Sequence, residues 1–173
     1  YARPLEATFE TIHLRGFINE IIVSNKQLFP NIDIVFQSDD GKDACIEGDQ
    51  LLLKQALSNI VDNASKSYDT GIGQITIKYL HSDENAILEI IDNGSGILEI
   101  DKDNIFTPFY SGSPSGSGLG LPLAQKIIVS HKGFIDFKDN PDGGTIFTIL
   151  FPHKTIDSKS ADRHLIENDQ KNK

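Results

Sequence analysis

The sequence predicts a two-layer α/β (α+β) sandwich in which helices cover one face of a mixed β-sheet. Three observations lead to this fold class. Segments that alternate apolar and polar residues are interspersed with segments of helical period. Their order is strand, helix, strands, helix, strands, loop, helix and strands, which lacks the strict alternation of a doubly wound parallel fold. The 173 residues also suffice for one domain with a single core.

Four elements are expected in the first part of the chain. They are a short strand over 8–14, a helix over 16–29, a strand over 32–36 and a short strand over 44–47. The helix has apolar residues at three- and four-residue spacing, and Pro30 ends it. The next strand alternates apolar and polar residues, as a strand with one buried face does. Residues 39–42, Asp-Asp-Gly-Lys, have the composition of a turn.

A longer helix is predicted over 50–67, with Asp49 as its N-cap. Its apolar residues make one stripe at helical period. Asn59 and Asn63 lie one turn apart, so both side chains emerge on the same face beside that stripe.

The remaining elements surround a glycine-rich region. They are strands over 74–80 and 86–91 joined by a loop over 81–85, a helix over 121–131, and a closing hairpin over 134–137 and 145–151. Nine of the fourteen glycines lie between Gly94 and Gly144. The stretch from Asn104 to Ala124 has no charged residue. This region is therefore expected to be a long loop that leads into a helix.

Composition excludes several classes of protein. No apolar run approaches the roughly 20 residues that span a bilayer, and no signal peptide opens the chain. A single cysteine, Cys45, cannot form an internal disulfide, which favours a reducing compartment. A net charge of −9 argues against a nucleic-acid surface. We therefore expect a cytoplasmic domain without nucleic-acid or membrane contact, which binds any polyanion through backbone N–H groups, a few lysines or a metal ion.

The ends of the chain differ from its centre. The chain starts at Tyr1 and has no methionine, which favours a fragment of a longer protein, whose full length could be anchored in the inner membrane. Residues 1–7 are expected to end an upstream linker and residues 8–152 to form the domain. Residues 153–173 are polar and aperiodic, so we expect a flexible tail.

The first candidate site is the asparagine pair on the long predicted helix. An amide oxygen is a neutral, hard ligand that suits Mg²⁺ beside phosphates. Lys66 lies three residues beyond Asn63, where an ammonium group could meet a phosphate. The alternative is a solvated helix face without function.

The second candidate is Asp92-Asn93-Gly94-Ser95-Gly96-Ile97, directly after a strand. Asp92 would sit at the edge of the core and could accept a hydrogen bond from an amino group such as that of adenine. Gly94 and Gly96 permit positive φ and close approach of a ligand. The alternative is a plain turn after a strand.

The third candidate is Gly116-Ser117-Gly118-Leu119-Gly120-Leu121, which leads into a helix. Consecutive N–H groups of such a loop and of the helix N-terminus make an anion site. The segment does not follow the first strand of a βαβ unit and lacks Gly-Lys-Ser/Thr, so it is neither a dinucleotide fingerprint nor a P-loop. A flexible linker is the alternative, although Leu119 and Leu121 are unlike one.

In this order and spacing, the motifs resemble those of the catalytic domains of sensor histidine kinases, within the wider Bergerat-fold ATPases. The similarity covers about residues 10–152. The matching segments are the N box with Asn59 and Asn63, the first glycine box at 92–97, the F box at 105–110, the second glycine box at 116–121 and the closing strand motif at 143–147. The helix at 121–128 is most similar to the nitrogen-regulation branch.

The resemblance implies a Bergerat fold with a glycine-rich ATP lid, and it implies ATP and Mg²⁺ as ligands. Asn63 would coordinate the metal, Asp92 would bind the adenine amino group, and Phe106 and Phe109 would anchor the lid. The implied ATP-binding set is Asn59, Asn63, Lys66, Asp92, Gly94, Gly96, Ile97, Phe106, Gly116, Ser117, Gly118, Leu119, Gly120, Leu121 and Thr145.

Two details bear on the reaction. In the hydrolysing relatives, a glutamate one turn before the metal-binding asparagine activates water. Asn59 stands at that position and cannot act as a general base, so the domain should hold ATP for another nucleophile. The family often has Lys or Arg just after the F box, whereas this chain has Ser111-Gly112-Ser113, so the ATP affinity should be modest.

No histidine of the chain has the context of the family's phosphoacceptor. The five are His13, His81, His131, His153 and His164. The acceptor is therefore expected upstream of Tyr1, on a dimerisation domain, with a response regulator receiver domain as a further partner. The sequence thus predicts the ATP-binding part of a protein-histidine kinase. An anti-sigma-type serine kinase and a non-catalytic, nucleotide-gated interaction module are the alternatives.

Overall fold

The computed structural model describes residues 7–38, 43–68, 71–82, 84–112 and 116–153. The elements are β1 (Glu10–His13), α1 (Leu14–Leu28), β2 (Ile32–Ser38), β3 (Cys45–Gly48), α2 (Gln50–Lys66), β4 (Gly73–His81), β5 (Asn85–Asp92), a turn of 3-10 helix (Lys102–Asn104), α3 (Gly120–Ser130), β6 (Phe134–Asp139) and β7 (Thr145–Pro152). The predicted turn at 39–42 and most of the predicted linker and tail lie outside the described residues.

Five strands form one mixed sheet in the order β2-β4-β5-β7-β6. β2 runs parallel to β4, and the other neighbours are antiparallel. β1 and β3 form a separate two-stranded antiparallel sheet. Along β4 and β5, buried residues alternate with half-buried ones, as expected when helices cover one face. The predicted two-layer sandwich with a mixed sheet is confirmed.

The helix α2 carries the apolar stripe that the sequence predicts. Its buried apolar residues are Leu53, Ala56, Leu57, Ile60, Val61 and Ala64. Asp49 caps this helix, because its carboxylate accepts the N–H of Leu52 at 3.0 Å. Within the described residues, no helix is long and apolar enough to cross a bilayer.

The helix α1 begins at Leu14, two residues before the predicted start. The reason is capping by residues distant in sequence. The N–H of Leu14 donates to the carbonyl of Ala44 at 3.1 Å, and that of Arg15 donates to the carboxylate of Asp43 at 3.0 Å. These contacts satisfy first-turn donors that would otherwise lack partners, so the helix extends back to the end of β1.

Candidate functional site

The candidate site lies where α2, the end of β5 and the start of α3 meet. Three polar residues follow one another at four-residue spacing along α2 and its C-cap: Asn59, Asn63 and Ser67. Asn59 contacts the start of α3, and Ser67 contacts the last residue of β5. Eight residues of helix rise about 12 Å, so this polar stripe spans the whole distance between those two elements.

At one end of the stripe, the amide of Asn59 donates to the carbonyl of Gly120 at 3.2 Å. Asn63 is half-buried, and no hydrogen bond joins its side chain to the residues that the structure describes. Its amide oxygen is therefore free to accept a ligand.

The donor set at Asn63 fits Mg²⁺ that arrives with a phosphate. Across the described part of the chain, no group of three or more His, Cys, Asp or Glu side chains could hold a metal ion. A cation at Asn63 would therefore take most of its ligands from water or phosphate. Mg²⁺ binds in this way, with one or two protein oxygens and its other positions filled by water and substrate.

The structure places Lys66 outside this arrangement. Its ammonium group donates to the carboxylate of Asp62 at 2.6 Å, and 66% of the side chain is exposed. The sequence-based expectation placed this ammonium group near phosphate. An exposed ion pair is weak, so Lys66 can leave Asp62 at little cost in free energy.

Asp92 is buried at the end of β5, where the sequence predicts it. Its Oδ1 accepts hydrogen bonds from the Ser67 hydroxyl at 3.1 Å and from the Gly94 N–H at 3.0 Å. Burial raises the pKa of Asp92, and hydrogen bonds from Gly94, Ser67 and the Thr145 backbone oppose that rise. Thr145 is itself buried, and Ile97 is partly buried against the core.

Glycines allow the chain to pack closely around this carboxylate. A Cβ on Gly144 would lie 2.4 Å from the carbonyl oxygen of Asp92, and one on Gly94 would lie 1.9 Å from the Ser67 hydroxyl. Gly96 has a φ of +73°. Side chains are therefore excluded at Gly94 and Gly144 by contact and disfavoured at Gly96 by backbone conformation.

A close backbone contact joins the start and the end of the glycine-rich segment before α3. The carbonyl of Gly118 accepts the N–H of Phe109 at 2.9 Å. Gly118 has a φ of +65°, and a Cβ there would lie 2.6 Å from backbone atoms of Phe109 and Tyr110. We call this contact between Phe109 and Gly118 the neck. Residues 113–115, within the segment that it encloses, lie outside the described residues.

The other residues of this segment lead into α3. Leu121 packs against the core, whereas Leu119 is 44% exposed and its N–H lies 3.4 Å from the Ser117 hydroxyl. Gly116 is half-buried. No side chain of the described residues caps the N-terminus of α3. The N–H groups of Gly120 and Leu121 are therefore available to an anion, whereas Pro122 has no N–H and that of Leu123 donates to the carbonyl of Leu119 at 3.1 Å.

The two aromatic residues expected to anchor the lid, Phe106 and Phe109, differ in the burial of their side chains. Phe106 is half-buried and lies edge-on to Phe137, with ring centroids 6.2 Å apart. The prediction for Phe109 is wrong, since its side chain is 80% exposed. Phe109 has a φ of +66°, and the hydroxyl of the half-buried Tyr110 beside it donates to the carboxylate of Asp101 at 2.5 Å.

Two side chains at the Asp92 end of the site, Ser67 and Asn140, are not among the residues predicted from the sequence. Ser67 continues the spacing of Asn59 and Asn63, and that regularity is the signal that identifies it. Asn140 donates from its amide to the carbonyl of Asp92 at 2.8 Å. It lies 48 positions away in the β6–β7 turn, and no local pattern predicts this contact.

His131 is buried at the C-cap of α3. Its Nε2 accepts the N–H of Asp49 at 2.9 Å, so the ring hydrogen is on Nδ1, which donates to the carbonyl of Ile127 at 2.7 Å. Both ring nitrogens of His131 thus form hydrogen bonds within the domain, so neither is available to receive a phosphoryl group. His164 lies outside the described residues.

Comparison with known proteins agrees with this geometry. Residues 48–155 match the family described as histidine kinase-, DNA gyrase B- and HSP90-like ATPase. The chain is 34% identical over 156 residues to the signal transduction histidine-protein kinase AtoS of Escherichia coli K12, covering 88% of this chain and 25% of AtoS. It is 38% identical over 149 residues to the histidine-protein kinase ArlS of Staphylococcus aureus USA300, covering 82% of this chain and 32% of ArlS. The chain thus spans only a quarter to a third of these relatives.

A solved structure shows the same fold. The nucleotide-free catalytic domain of histidine kinase ThkA superposes with a TM-score of 0.74 at 29% identity, covering 86% of this chain and 99% of that domain. ThkA has also been solved in complex with the response regulator protein TrrA, with a TM-score of 0.71, covering 86% of this chain and 42% of that one. The chain therefore belongs to the histidine kinase-, DNA gyrase B- and HSP90-like ATPases, as an ATP-binding catalytic domain of the sensor histidine kinase type.

Proposed function

We propose that this chain binds Mg-ATP between α2 and α3 and donates the γ-phosphate to a histidine on a dimerisation domain outside the chain. It would thus act as the catalytic part of a two-component sensor histidine kinase. The observation that carries this proposal is the polar stripe of α2. It joins a free amide at Asn63 to the start of α3 at one end and to the buried carboxylate of Asp92 at the other.

The base end of the stripe suits adenine. Gly94, Ser67 and the Thr145 backbone use three of the roughly four hydrogen bonds that the Asp92 carboxylate can accept, so it keeps the capacity to accept one from the 6-amino group. Gly96, Ile97 and Thr145 would line the base pocket around this carboxylate. A buried acceptor is selective, because a ligand that cannot donate leaves it without a partner.

The other end of the stripe suits the phosphates. Asn63 would hold Mg²⁺, which would neutralise part of the triphosphate charge when bound. The N–H groups of Gly120 and Leu121 would bind phosphate oxygens, with Gly116, Gly118 and Gly120 giving this segment its backbone freedom. Lys66 would join them after leaving Asp62. With no charged residue from Asn104 to Ala124, binding relies on these groups, and modest affinity follows.

Transfer is favoured over hydrolysis by the chemistry of Asn59. Its amide nitrogen is already used on Gly120, and an amide cannot remove a proton from water. Phosphoryl transfer needs mainly positioning and charge neutralisation from the protein. The domain would therefore hold ATP until an external nucleophile arrives.

The nucleophile and the later phosphate acceptor are proposed to lie on partners. Both nitrogens of His131 are occupied, and the N-terminal side of the chain is the expected direction of the dimerisation domain. The structure of ThkA with TrrA supports a response regulator as the downstream partner. We propose a receiver domain of that kind as the final acceptor of the phosphoryl group.

Labelled phosphate tests the proposal. The chain is incubated with γ-labelled Mg-ATP and a separately purified dimerisation and phosphoacceptor domain. We expect an acid-labile, base-stable label on that domain, lost in Asn63→Ala and retained in Asn19→Ala, which removes an exposed amide from α1. An acid-stable label would indicate a serine kinase instead. ATP binding without any transfer would indicate a nucleotide-gated interaction module.

A further inference from the structure

Ser67 lies at the end of the polar stripe that contacts Asp92. Its Oγ lies 3.1 Å from Oδ1 of Asp92 and 2.8 Å from the carbonyl oxygen of Ala64. A hydroxyl has one hydrogen, so it donates to only one of these acceptors at a time. An ionised carboxylate is the stronger acceptor, because hydrogen bonds to charged groups are about twice as strong as neutral ones. Donation to Asp92 and ionisation of Asp92 therefore favour each other.

The same hydroxyl fixes which carboxylate oxygen faces a ligand. Oδ1 also accepts the Gly94 N–H at 3.0 Å, and two donors use both lone pairs of that oxygen. Ser67 further holds the loop that follows β5, since its carbonyl accepts the N–H of Ser95 at 2.9 Å. The carboxylate and the loop beside it are thus oriented by one residue at the end of α2.

Tyr68 supports this arrangement from the next position. Its hydroxyl accepts the Asn93 N–H at 3.1 Å and also contacts the carbonyl of Gln74. Tyr68 is the titratable group that faces Asp92 from the α2 end, and its pKa is raised by burial and by the Asp92 charge. The other groups bound to the carboxylate are the Ser67 hydroxyl and backbone N–H groups.

We propose that Ser67 is a positioning residue that makes this site select 6-amino purine nucleotides over 6-oxo purine nucleotides. The proposal rests on the proposed binding of ATP beside Asp92. With Ser67 donating to Oδ1, the ionised Oδ2 faces the base. It accepts a hydrogen bond from a 6-amino group and repels the oxygen of a 6-oxo group.

Removal of the hydroxyl reverses this preference in part. Burial raises the pKa of Asp92, and the hydrogen bond from Ser67 is one of the interactions that lower it. Without that bond, the carboxyl group takes up a proton more readily and is less firmly oriented. A protonated carboxyl group can donate to a 6-oxo group. Affinity should therefore fall for ATP and rise for inosine triphosphate.

Calorimetric titration with Mg-ATP and Mg-ITP tests the proposal. These nucleotides differ at position 6 of the base. In Ser67→Ala, the preference for ATP over ITP should fall by at least about tenfold, the low end for a hydrogen bond to a charged group. The preference should recover partly as pH rises, because the carboxyl group ionises again. A residue that only stabilised the fold would alter neither the preference nor its pH profile.

Ser65→Ala is the matched control. Ser65 is buried, whereas Ser67 is half-buried, and the Ser65 hydroxyl donates to the carbonyl three residues earlier, that of Asp62, at 2.8 Å. No hydrogen bond joins it to Asp92 within the described residues. We expect its ATP-to-ITP preference to equal that of the unmodified chain. An equal loss in both serine variants would overturn the proposal.

Ser67→Cys covers the case in which the alanine variant does not fold. Cysteine has nearly the same shape, but its thiol is a weak donor, so the preference should fall here too. An unchanged preference in the folded Ser67 variants, with ATP bound normally, overturns the role of Ser67 and leaves the proposed function intact. Failure of the unmodified chain to bind ATP contradicts the proposed function itself.

Discussion

The side-chain amide of Asn59 donates a hydrogen bond to the carbonyl of Gly120, the first residue of α3, at 3.2 Å. At the other end of α3, the N–H of Asp49, the N-cap of α2, donates to His131 at 2.9 Å. The antiparallel helices α2 and α3 are therefore joined at both ends of α3. This pairing fixes their register and holds the N-terminus of α3 beside the polar stripe of α2.

Replacement of Asn59 by alanine should separate the site end of this pair. We expect the dissociation constant of Mg-ATP to rise about tenfold, and the free energy of unfolding to fall by about 1 kcal/mol, the value of one hydrogen bond. Calorimetry and urea denaturation measure the two effects. Gln55→Ala removes an exposed amide one turn earlier on α2 and should change neither. Unchanged ATP affinity in Asn59→Ala would show that α3 is positioned without this contact.

His131 should stabilise the fold at the far end without taking part in transfer. His131→Ala leaves the Asp49 N–H without its partner and creates a cavity. We expect the free energy of unfolding to fall by about 3 kcal/mol. His13→Ala, at a side chain 68% exposed, serves as the control with little effect. Label on His131 after incubation of the chain with γ-labelled ATP would contradict its structural role.

The N-cap of α2 should give stability that depends on pH. Hydrogen bonds from the N–H groups of Leu52 and Thr8 lower the pKa of Asp49 below its ordinary value of 3.8. The folded state therefore binds this proton less readily than the unfolded state. The stabilisation is fully present above the unfolded-state pKa and is lost as pH falls through the folded-state pKa.

Asp49→Ala should accordingly lower the free energy of unfolding by about 1 kcal/mol at pH 7. The difference from the unmodified chain should shrink once pH falls below about 4. Denaturant unfolding at several pH values measures it, with Asp103→Ala as a control for loss of an exposed carboxylate. A difference that grows towards low pH would contradict the assigned role.

The neck between Phe109 and Gly118 should not tolerate a side chain. Gly118→Ala would place a Cβ 2.6 Å from backbone atoms and hold alanine at a φ of +65°. We expect ATP affinity to fall about five- to thirtyfold, from about one to two kcal/mol of strain, with the core intact. Gly16→Ala, where a Cβ meets nothing within 4 Å, is the control. Normal affinity in Gly118→Ala would show that the neck does not shape the site.

Short-range patterns predicted the elements that carry the site. The apolar stripe of α2 and the four-residue spacing of Asn59 and Asn63 lie within one helix. Helical period alone therefore predicts them from the sequence. Asp92 is likewise identified by its place at the end of an apolar strand. These positions are set by local periodicity, and the structure places them as the sequence predicts.

Contacts between segments distant in sequence account for most differences between the predicted and the observed structure. The early start of α1 depends on Asp43, which lies 28 positions from the N–H that it caps. Phe109, whose side chain is exposed, has its backbone N–H bound to the carbonyl of Gly118 across the segment between them, and no local pattern predicts that contact. The position of Lys66 has a local cause instead. Asp62 lies four residues before Lys66 on the same helix face, and the ion pair between them competes with the expected phosphate contact.

Calorimetric titration of Mg-ATP and Mg-ADP into this chain, beside Asn63→Ala and Asp92→Ala, tests the central claim most directly. The two variants remove opposite ends of the proposed nucleotide site. We expect the unmodified chain to bind both nucleotides and both variants to lose binding while remaining folded. Absence of binding by the unmodified chain, or undiminished binding by the folded variants, would contradict the proposed site.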